Sequence, residues 1–354
     1  MALETWSVRS SPQATGRVHH FFTTHCEAGA DEGDRPRRVG AADVLHLREI
    51  DRPAVGDDRV LVRVRAASVN ALDWHNVHGG RLVSVIAFLM RQPTFPIRGV
   101  DVSGEVEAVG KDVTRLRPGD EVFGAARGTF AEYATAREDW LVKKPRELTF
   151  AQAACMGVAA VTALQGLRDK GQLKPGQRVL INGAGGGVGT FGVLIAKALG
   201  AHVTAVTSTR NLELVRSIGP DEAIDYTQED FIRRGQRYNV IFDVAANRSF
   251  GDLRRALTPS GRIVLVGAAK KSGFATISRA LMGIVRSRLG SSWLAPLLAR
   301  LTYDDLVVLK ELVEAGKLCP VIDREYPLSE APEAVRYLGS GQARAKVVIN
   351  VSSL

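Results

Sequence analysis

The sequence predicts an α/β protein of two domains, one β-rich and one built on a doubly wound parallel sheet. Three observations carry the prediction. Apolar strands and helices alternate from about residue 159 to 315. A glycine-packed turn joins the first of these strands to its helix, and β-type patterning precedes this region and returns after it. A length of 354 residues suits two domains of ordinary size.

Residues 1–38 read as a poorly structured extension. Ser, Gly and Thr mix there with His19-His20 and the charged run Asp31-Glu-Gly-Asp-Arg-Pro-Arg-Arg38, and no apolar period persists. Glu4, Glu27, Asp31 and Glu32 argue against an acid-poor presequence. The first domain, 39–158, is β-patterned: Val60 to Val64 alternates, and Gly99 to Gly110 is a glycine-bounded run of β-branched residues. Arg117-Pro-Gly-Asp120 and Ala126-Arg-Gly-Thr129 mark turns. The second domain, 159–315, has strands expected at 179–182, 202–207, 239–245 and 262–268, connected by right-handed crossovers. Residues 316–354 return to short strands around Val321 and Lys346 to Val351, completing the first domain.

The glycine turn is Arg178-Val-Leu-Ile-Asn-Gly-Ala-Gly-Gly-Gly-Val-Gly-Thr190. Its strand ends abruptly, glycine lets the backbone approach a pyrophosphate, and the helix beyond offers free N–H groups and a positive dipole end. The fingerprint reads A-x-G-x-x-G, with Ala184 in the first glycine slot. Glycine clusters also end strands in ordinary loops, so context matters. That context is a second apolar strand, His202 to Thr207, ending about 20 residues on, where a Rossmann unit reads the adenosine ribose. An NAD site places Asp or Glu there. Here the run is Thr207-Ser-Thr-Arg-Asn211, with no acid before Glu213. Hydroxyls from Ser208 and Thr209 with the guanidinium of Arg210 suit a 2′-phosphate, which points to NADPH.

Composition narrows the classes. No stretch of about 18 uninterrupted apolar residues exists, so no integral membrane segment is expected. Cys26, Cys155 and Cys319 are scattered, forming neither a disulfide framework nor a metal knuckle, which points to a reducing cytoplasm. The net charge of +9 is spread along the chain rather than gathered on one element, so no nucleic-acid partner is expected.

Five blocks then carry a family likeness. They are Ala66-Ala-Ser-Val-Asn-Ala-Leu-Asp-Trp74, Gly99-Val-Asp-Val-Ser-Gly104, Arg117-Pro-Gly-Asp-Glu-Val-Phe-Gly124, Gly128-Thr-Phe-Ala-Glu-Tyr133 and the glycine turn. Glu314-Ala-Gly-Lys317, Pro320 to Arg324 and Tyr326 to Ala334 add to them. The chain resembles the medium-chain dehydrogenase/reductase superfamily, in its zinc-free, zeta-crystallin-like quinone oxidoreductase branch. The resemblance implies a GroES-like catalytic domain beside a Rossmann domain, and NADPH-dependent reduction of a quinone or α,β-unsaturated carbonyl. An enoyl-thioester reductase, or a dinucleotide-binding sensor with vestigial catalysis, is the alternative. Family members open with a strand just before the segment matching Gly40 to Leu45, a slot that Asp31 to Arg38 is too charged to fill.

Zinc-dependent relatives place ligands at positions that here hold Asn70, Val100 and, nearby, Val158. Neither amide nor isopropyl replaces a thiolate or imidazole, so no metal is expected. A carbonyl must then be polarised by hydrogen-bond donors or water. Asn70, near the nicotinamide by resemblance, is the first candidate donor, and His75 is a candidate general acid. Asp73 reads as structural. The resemblance further assigns cofactor contacts to Thr162, Gly185, Gly186, Gly187, Val188, Tyr226, Val266 and Gly267, and places Lys346 near the pyrophosphate. Two apolar, arginine-flanked segments, Arg81 to Met90 and Ile277 to Leu301, are candidate walls for a small lipophilic acceptor. Ordinary core packing and the interface of a homodimer compete for the same segments.

Overall fold

The computed structural model describes residues 17–23, 45–78, 98–266 and 293–351. Strand β1 (Arg17–Thr23) pairs antiparallel with β2 (Leu45–Asp51), from Arg17 opposite Asp51 to Thr23 opposite Leu45. This corrects the expectation of a structureless 1–38 over these seven residues. Their β-branched and aromatic types favour a strand, and a partner 22 positions further on supplies the ladder that polar flanks concealed. The His19 N–H donates to Glu132 Oε2 at 2.8 Å, tying the hairpin to the domain behind it.

The β-rich domain continues with β3 (Arg59–Val69), α1 (Ala71–His78), β4 (Asp101–Val109), β5 (Glu121–Ala125), β6 (Tyr133–Arg137) and β7 (Leu141–Lys143). Short α2 (Phe150–Ala154) and α3 (Val158–Gln165) lead out of it, and α3 widens into a π-type turn over Gly166–Lys170. The second domain holds β8 (Arg178–Asn182), α4 (Gly187–Ala198), β9 (His202–Thr207), α5 (Leu212–Ser217), β10 (Glu222–Asp225), β11 (Tyr238–Asp243), α6 (Phe250–Arg255), β12 (Leu257–Leu265), β13 (Leu294–Pro296) and α7 (Tyr303–Glu314). The chain then returns through β14 (Ile322–Pro327), α8 (Ala331–Gly339) and β15 (Lys346–Asn350).

The β-rich sheet runs β14-β15-β3-β4-β5-β7, with β6 also on β3. β3 explains this centre. Its first half alternates, with Arg63 and Arg65 outward, while Ala66 to Val69 are buried on both faces. β3 is paired along both edges, with β4 on one and β15 and β6 on the other, which satisfies its buried backbone groups. The second sheet is parallel, in the order β10-β9-β8-β11-β12-β13. The chain leaves β8 in one direction for β9 and β10, then recrosses to β11. The crevice beyond the ends of β8 and β11 is therefore the switch point where such sheets bind ligands. Asn182 Nδ2 donates to Asp243 Oδ1 at 2.7 Å, bracing those two strand ends together.

Candidate functional site

The glycine turn sits at that switch point. A side chain at Gly189 would put its Cβ 2.1 Å from the Gly183 carbonyl oxygen, so the turn can close this tightly only with glycine there. Gly186 differs. A Cβ there would meet nothing nearer than 3.7 Å, so protein packing does not require glycine at this position. Gly186 caps α4 with no side-chain hydrogen bond, so no cap side chain occupies the first-turn N–H groups. A pyrophosphate fits this arrangement, because α4 offers it donors and a positive dipole end over uncluttered backbone.

The returning C-terminal strand closes on the turn. The Ala345 N–H donates to the Gly185 carbonyl at 2.9 Å, and Ala345 forms a parallel bridge with Gly186. One residue on, the Lys346 stem runs within reach of Gly187, whose Cβ, if present, would lie 3.1 Å from Lys346 Cδ. Lys346 is 2% exposed, and its ammonium turns inward. It donates to Asn70 Oδ1 (2.7 Å), Asp101 Oδ2 (3.2 Å) and the Val69 carbonyl (3.4 Å). Asp101, fully buried at the start of β4, accepts four donors in all. Ser68 Oγ (2.6 Å), Asn70 Nδ2 (2.9 Å) and Lys346 share Oδ2, while the Val158 N–H at the start of α3 takes Oδ1 (2.7 Å). Asn70 thus has a fixed amide orientation, its oxygen on the cation and its nitrogen on the carboxylate. The other acceptor within reach of its Nδ2 is the Ser68 carbonyl at 3.5 Å, too long to hold a proton firmly. Among the described residues, the second N–H of Asn70 has only this long contact.

Asp73 serves the same loop. Its Oδ2 accepts from the Asn70 N–H at 2.8 Å, which closes the first turn of α1. Burial pushes its carboxyl up to about 7, helped by the nearby Asp101 charge and opposed by the Asn70 N–H and Lys346.

Beyond Asp101 lies a pocket of about 130 Å³ lined by Val100, Ala125, Trp140, Val158, Thr162 and Leu301, among others. Its walls are apolar apart from Thr162, whose hydroxyl donates to the Val158 carbonyl at 2.6 Å. Of the three positions compared with zinc ligands, Val100 and Val158 line this pocket and Asn70 is held in the buried network. Among the described residues no group of three or more His, Cys, Asp or Glu converges as a metal site.

At the other end, Ser208 to Asn211 follow β9, with Thr209–Asn211 in a single 3-10 turn. Arg210 Nη2 donates to the Gly341 carbonyl at 2.5 Å, reaching across to the loop before β15. The fold also brings up an acid that sequence order hid. Asp225, at the end of neighbouring β10, accepts from the Thr209 hydroxyl (2.6 Å) and from Thr227. These bonds hold its carboxyl below the usual range. Tyr226 lies beside the same strand end, its N–H on the Thr207 carbonyl.

The structure therefore brings Asn70, Thr162, Gly185 to Val188 and Lys346 into one region, with Ser208 to Arg210 and Tyr226 at the next strand end. Val266 extends β12, its N–H on the Asp243 carbonyl at 3.2 Å. Lys346 is not a solvated strand-edge lysine, and its ammonium points to Asn70 rather than outward. His75 is on α1, but its side chain, Gly267, Arg81 to Met90 and 277–292 fall outside the described residues. Sequence reasoning gave Asp101 no role. An acid at the head of the small, apolar run Gly99-Val-Asp-Val-Ser-Gly104 was the available signal.

Two family models match: an alcohol dehydrogenase GroES-like domain over residues 56–146 and a zinc-binding dehydrogenase over 218–349. The chain is 33% identical over 325 residues to the chloroplastic quinone-oxidoreductase QR1 of Triphysaria versicolor, covering 88% of this chain and 94% of that one. It is 32% identical to the chloroplastic NADPH-dependent alkenal/one oxidoreductase of Arabidopsis thaliana, covering 88% and 77%. The solved quinone oxidoreductase of Coxiella burnetii superposes with a TM-score of 0.77 at 29% identity, over 95% of this chain and all of that one.

Proposed function

The chain belongs to the medium-chain dehydrogenase/reductase superfamily, in its quinone oxidoreductase branch, and is an oxidoreductase; on that premise we propose that it is an NADPH-dependent, zinc-independent reductase of quinones or α,β-unsaturated carbonyls. One observation carries this reading. A single buried lysine links the glycine cradle to the amide of Asn70, and the carboxylate they share holds the α3 end of an apolar pocket. That path suits a dinucleotide whose pyrophosphate lies on the turn and whose reactive ring faces the pocket.

The Gly186–Gly187 backbone and the α4 N-terminus would hold the pyrophosphate. Arg210 and Ser208 would hold the 2′-phosphate, with the Arg210 guanidinium released from the Gly341 carbonyl. Asp225 stays ionised beside this site, because the bonds from Thr209 and Thr227 favour its charged form, and Arg210 would have to offset that charge as well as the phosphate's. When bound, NADPH supplies a hydride, which with one proton from solvent reduces a quinone to a hydroquinone or a conjugated C=C bond to a single bond, leaving NADP⁺. Val100, Val158 and Leu301 exclude water from the acceptor. Asn70 offers its loosely held N–H to the developing oxyanion, in an orientation set by Lys346 and Asp101. A conjugated acceptor needs no more. Alcohol oxidation would require removal of an O–H proton, which relatives ease with a metal.

The test is consumption of NADPH with a simple quinone, an enone and a crotonyl thioester, beside ethanol oxidation and elemental analysis. Quinone or enone turnover, little alcohol oxidation and well under one zinc per chain are expected. Preference for the thioester would favour an enoyl-thioester reductase, and turnover of none would favour a sensor. Homodimer formation belongs to the same proposal and is checked by sedimentation.

A further inference from the structure

The pocket face of α3 is built from Val158, Val161 and Thr162, and one turn further on stands Gln165. Residues three and four apart share a helix face, so Gln165 continues this one with a polar group. Its amide makes two bonds to the backbone of one residue of the opposite wall. Nε2 donates to the Arg300 carbonyl at 2.6 Å, and the Arg300 N–H donates to Oε1 at 3.1 Å. Nε2 also donates to Asp305 Oδ2 at 2.6 Å. Asp305 is itself fixed, by the Thr302 hydroxyl (2.6 Å) and by Arg168 Nη2 (2.7 Å) from the π-type turn that follows Gln165.

The residues on either side of Arg300, Ala299 and Leu301, line the pocket, while Arg300 is exposed. Before them, β13 holds β12 over three residues, and the last ladder bond is Leu297 N–H to the Leu265 carbonyl. Between Leu298 and Leu301, the backbone hydrogen bonds among the described residues are the two to Gln165. Gln165 uses both donors and its acceptor in these three bonds.

We propose that Gln165 is a positioning residue that sets acceptor size, by clamping the Ala299–Leu301 wall against the α3 face of the pocket. The inference rests on that pocket being the acceptor site, as proposed above. With the clamp intact the wall stands close to Val158 and Thr162 and favours a compact, one-ring acceptor. Without it the wall recedes, and the compact acceptor loses apolar contact that a two-ring acceptor keeps.

The experiment compares wild type with Gln165→Ala and Gln165→Glu, using a one-ring benzoquinone and a two-ring naphthoquinone. Glutamate keeps an acceptor for the Arg300 N–H but offers no donor to the Arg300 carbonyl and repels Asp305. Both variants should shift the ratio of kcat/KM toward the larger quinone by about tenfold, the scale of a misplaced group in an apolar pocket. NADPH affinity should not change. In Gln165→Ala the Arg300 amide should lose hydrogen-exchange protection while the α4 amides keep theirs. An equal fall for both quinones, or an unchanged Arg300 amide, would overturn the proposal. Failure of the wild type to reduce either quinone would instead refute the functional reading. The size ratio is then read from dissociation constants of the same quinones on the NADP⁺ complex, and an unchanged ratio there overturns the clamp.

Discussion

Replacing Asp101 with asparagine changes almost no volume but removes the charge and one acceptor from the centre of the site. The carboxylate accepts four donors on two oxygens: Ser68 Oγ, Asn70 Nδ2 and Lys346 Nζ on one, the Val158 N–H on the other. An asparagine amide has one oxygen. Whichever way it turns, its NH₂ faces a donor, either Val158 or the group of three. Lys346 meanwhile keeps its charge with 2% exposure and loses its counter-ion. Removing one partner of a buried ion pair costs about 3–5 kcal/mol, and one retained acceptor puts Asp101→Asn near the lower end, about 3 kcal/mol. For a domain of ordinary size this lowers Tm by roughly 6–12 °C. Urea titration followed by circular dichroism measures the loss. Asp101→Asn combined with Lys346→Met removes both charges, and stability should return to within about 1.5 kcal/mol of wild type. In the single variant, kcat should fall because the Asn70 amide loses its firm carboxylate acceptor and keeps only its Lys346 bond. A loss under about 1 kcal/mol, below the cost of one stranded buried donor, or a double variant as unstable as the single, would refute the reasoning.

Arg210→Ala should weaken NADPH binding by about 1.5–3 kcal/mol, the range for a charge-assisted bond, and leave NADH nearly untouched, as calorimetry with both cofactors will show. Asn70→Asp places a negative charge beside the developing oxyanion, so kcat should drop at least about tenfold with NADPH affinity little changed; unchanged turnover would remove Asn70 from the reaction. Asp73 titrates near 7 when folded and near 3.9 when unfolded, so the folded chain binds its proton more tightly. Its contribution is fully present below pH about 4 and is lost as pH rises through about 7, on the order of a few kcal/mol. Asp73→Asn keeps an acceptor for the Asn70 N–H and should flatten that part of the profile in urea titrations at pH 5 and 8; identical pH dependence in both proteins would show that Asp73 is not its source.

The sequence by itself determined the features that depend on neighbours along the chain. The glycine turn, the strands at 179–182 and 202–207, and the hydroxyls and arginine after β9 are local signals, because strand, turn and helix N-terminus are specified within a dozen residues. So is the incompatibility of Asn70 and Val100 with thiolate and imidazole ligation, a matter of residue type alone. β1 was illegible because its seven residues carry no period strong enough to stand without β2, which supplies its ladder from across 24–44. The working centre was illegible for the same reason on a larger scale. Lys346 meets Asn70 across 276 positions, Asp101 meets Val158 across 57, and Gln165 meets Arg300 across 135. Asp225 reaches Thr209 only because β10 lies beside β9. Burial decides what these groups do, since the same lysine on an open strand edge would be solvated and free. Only the packed sheets remove water from around it, and with water gone its charge must be answered by Asp101 and its remaining donors by Asn70 and Val69.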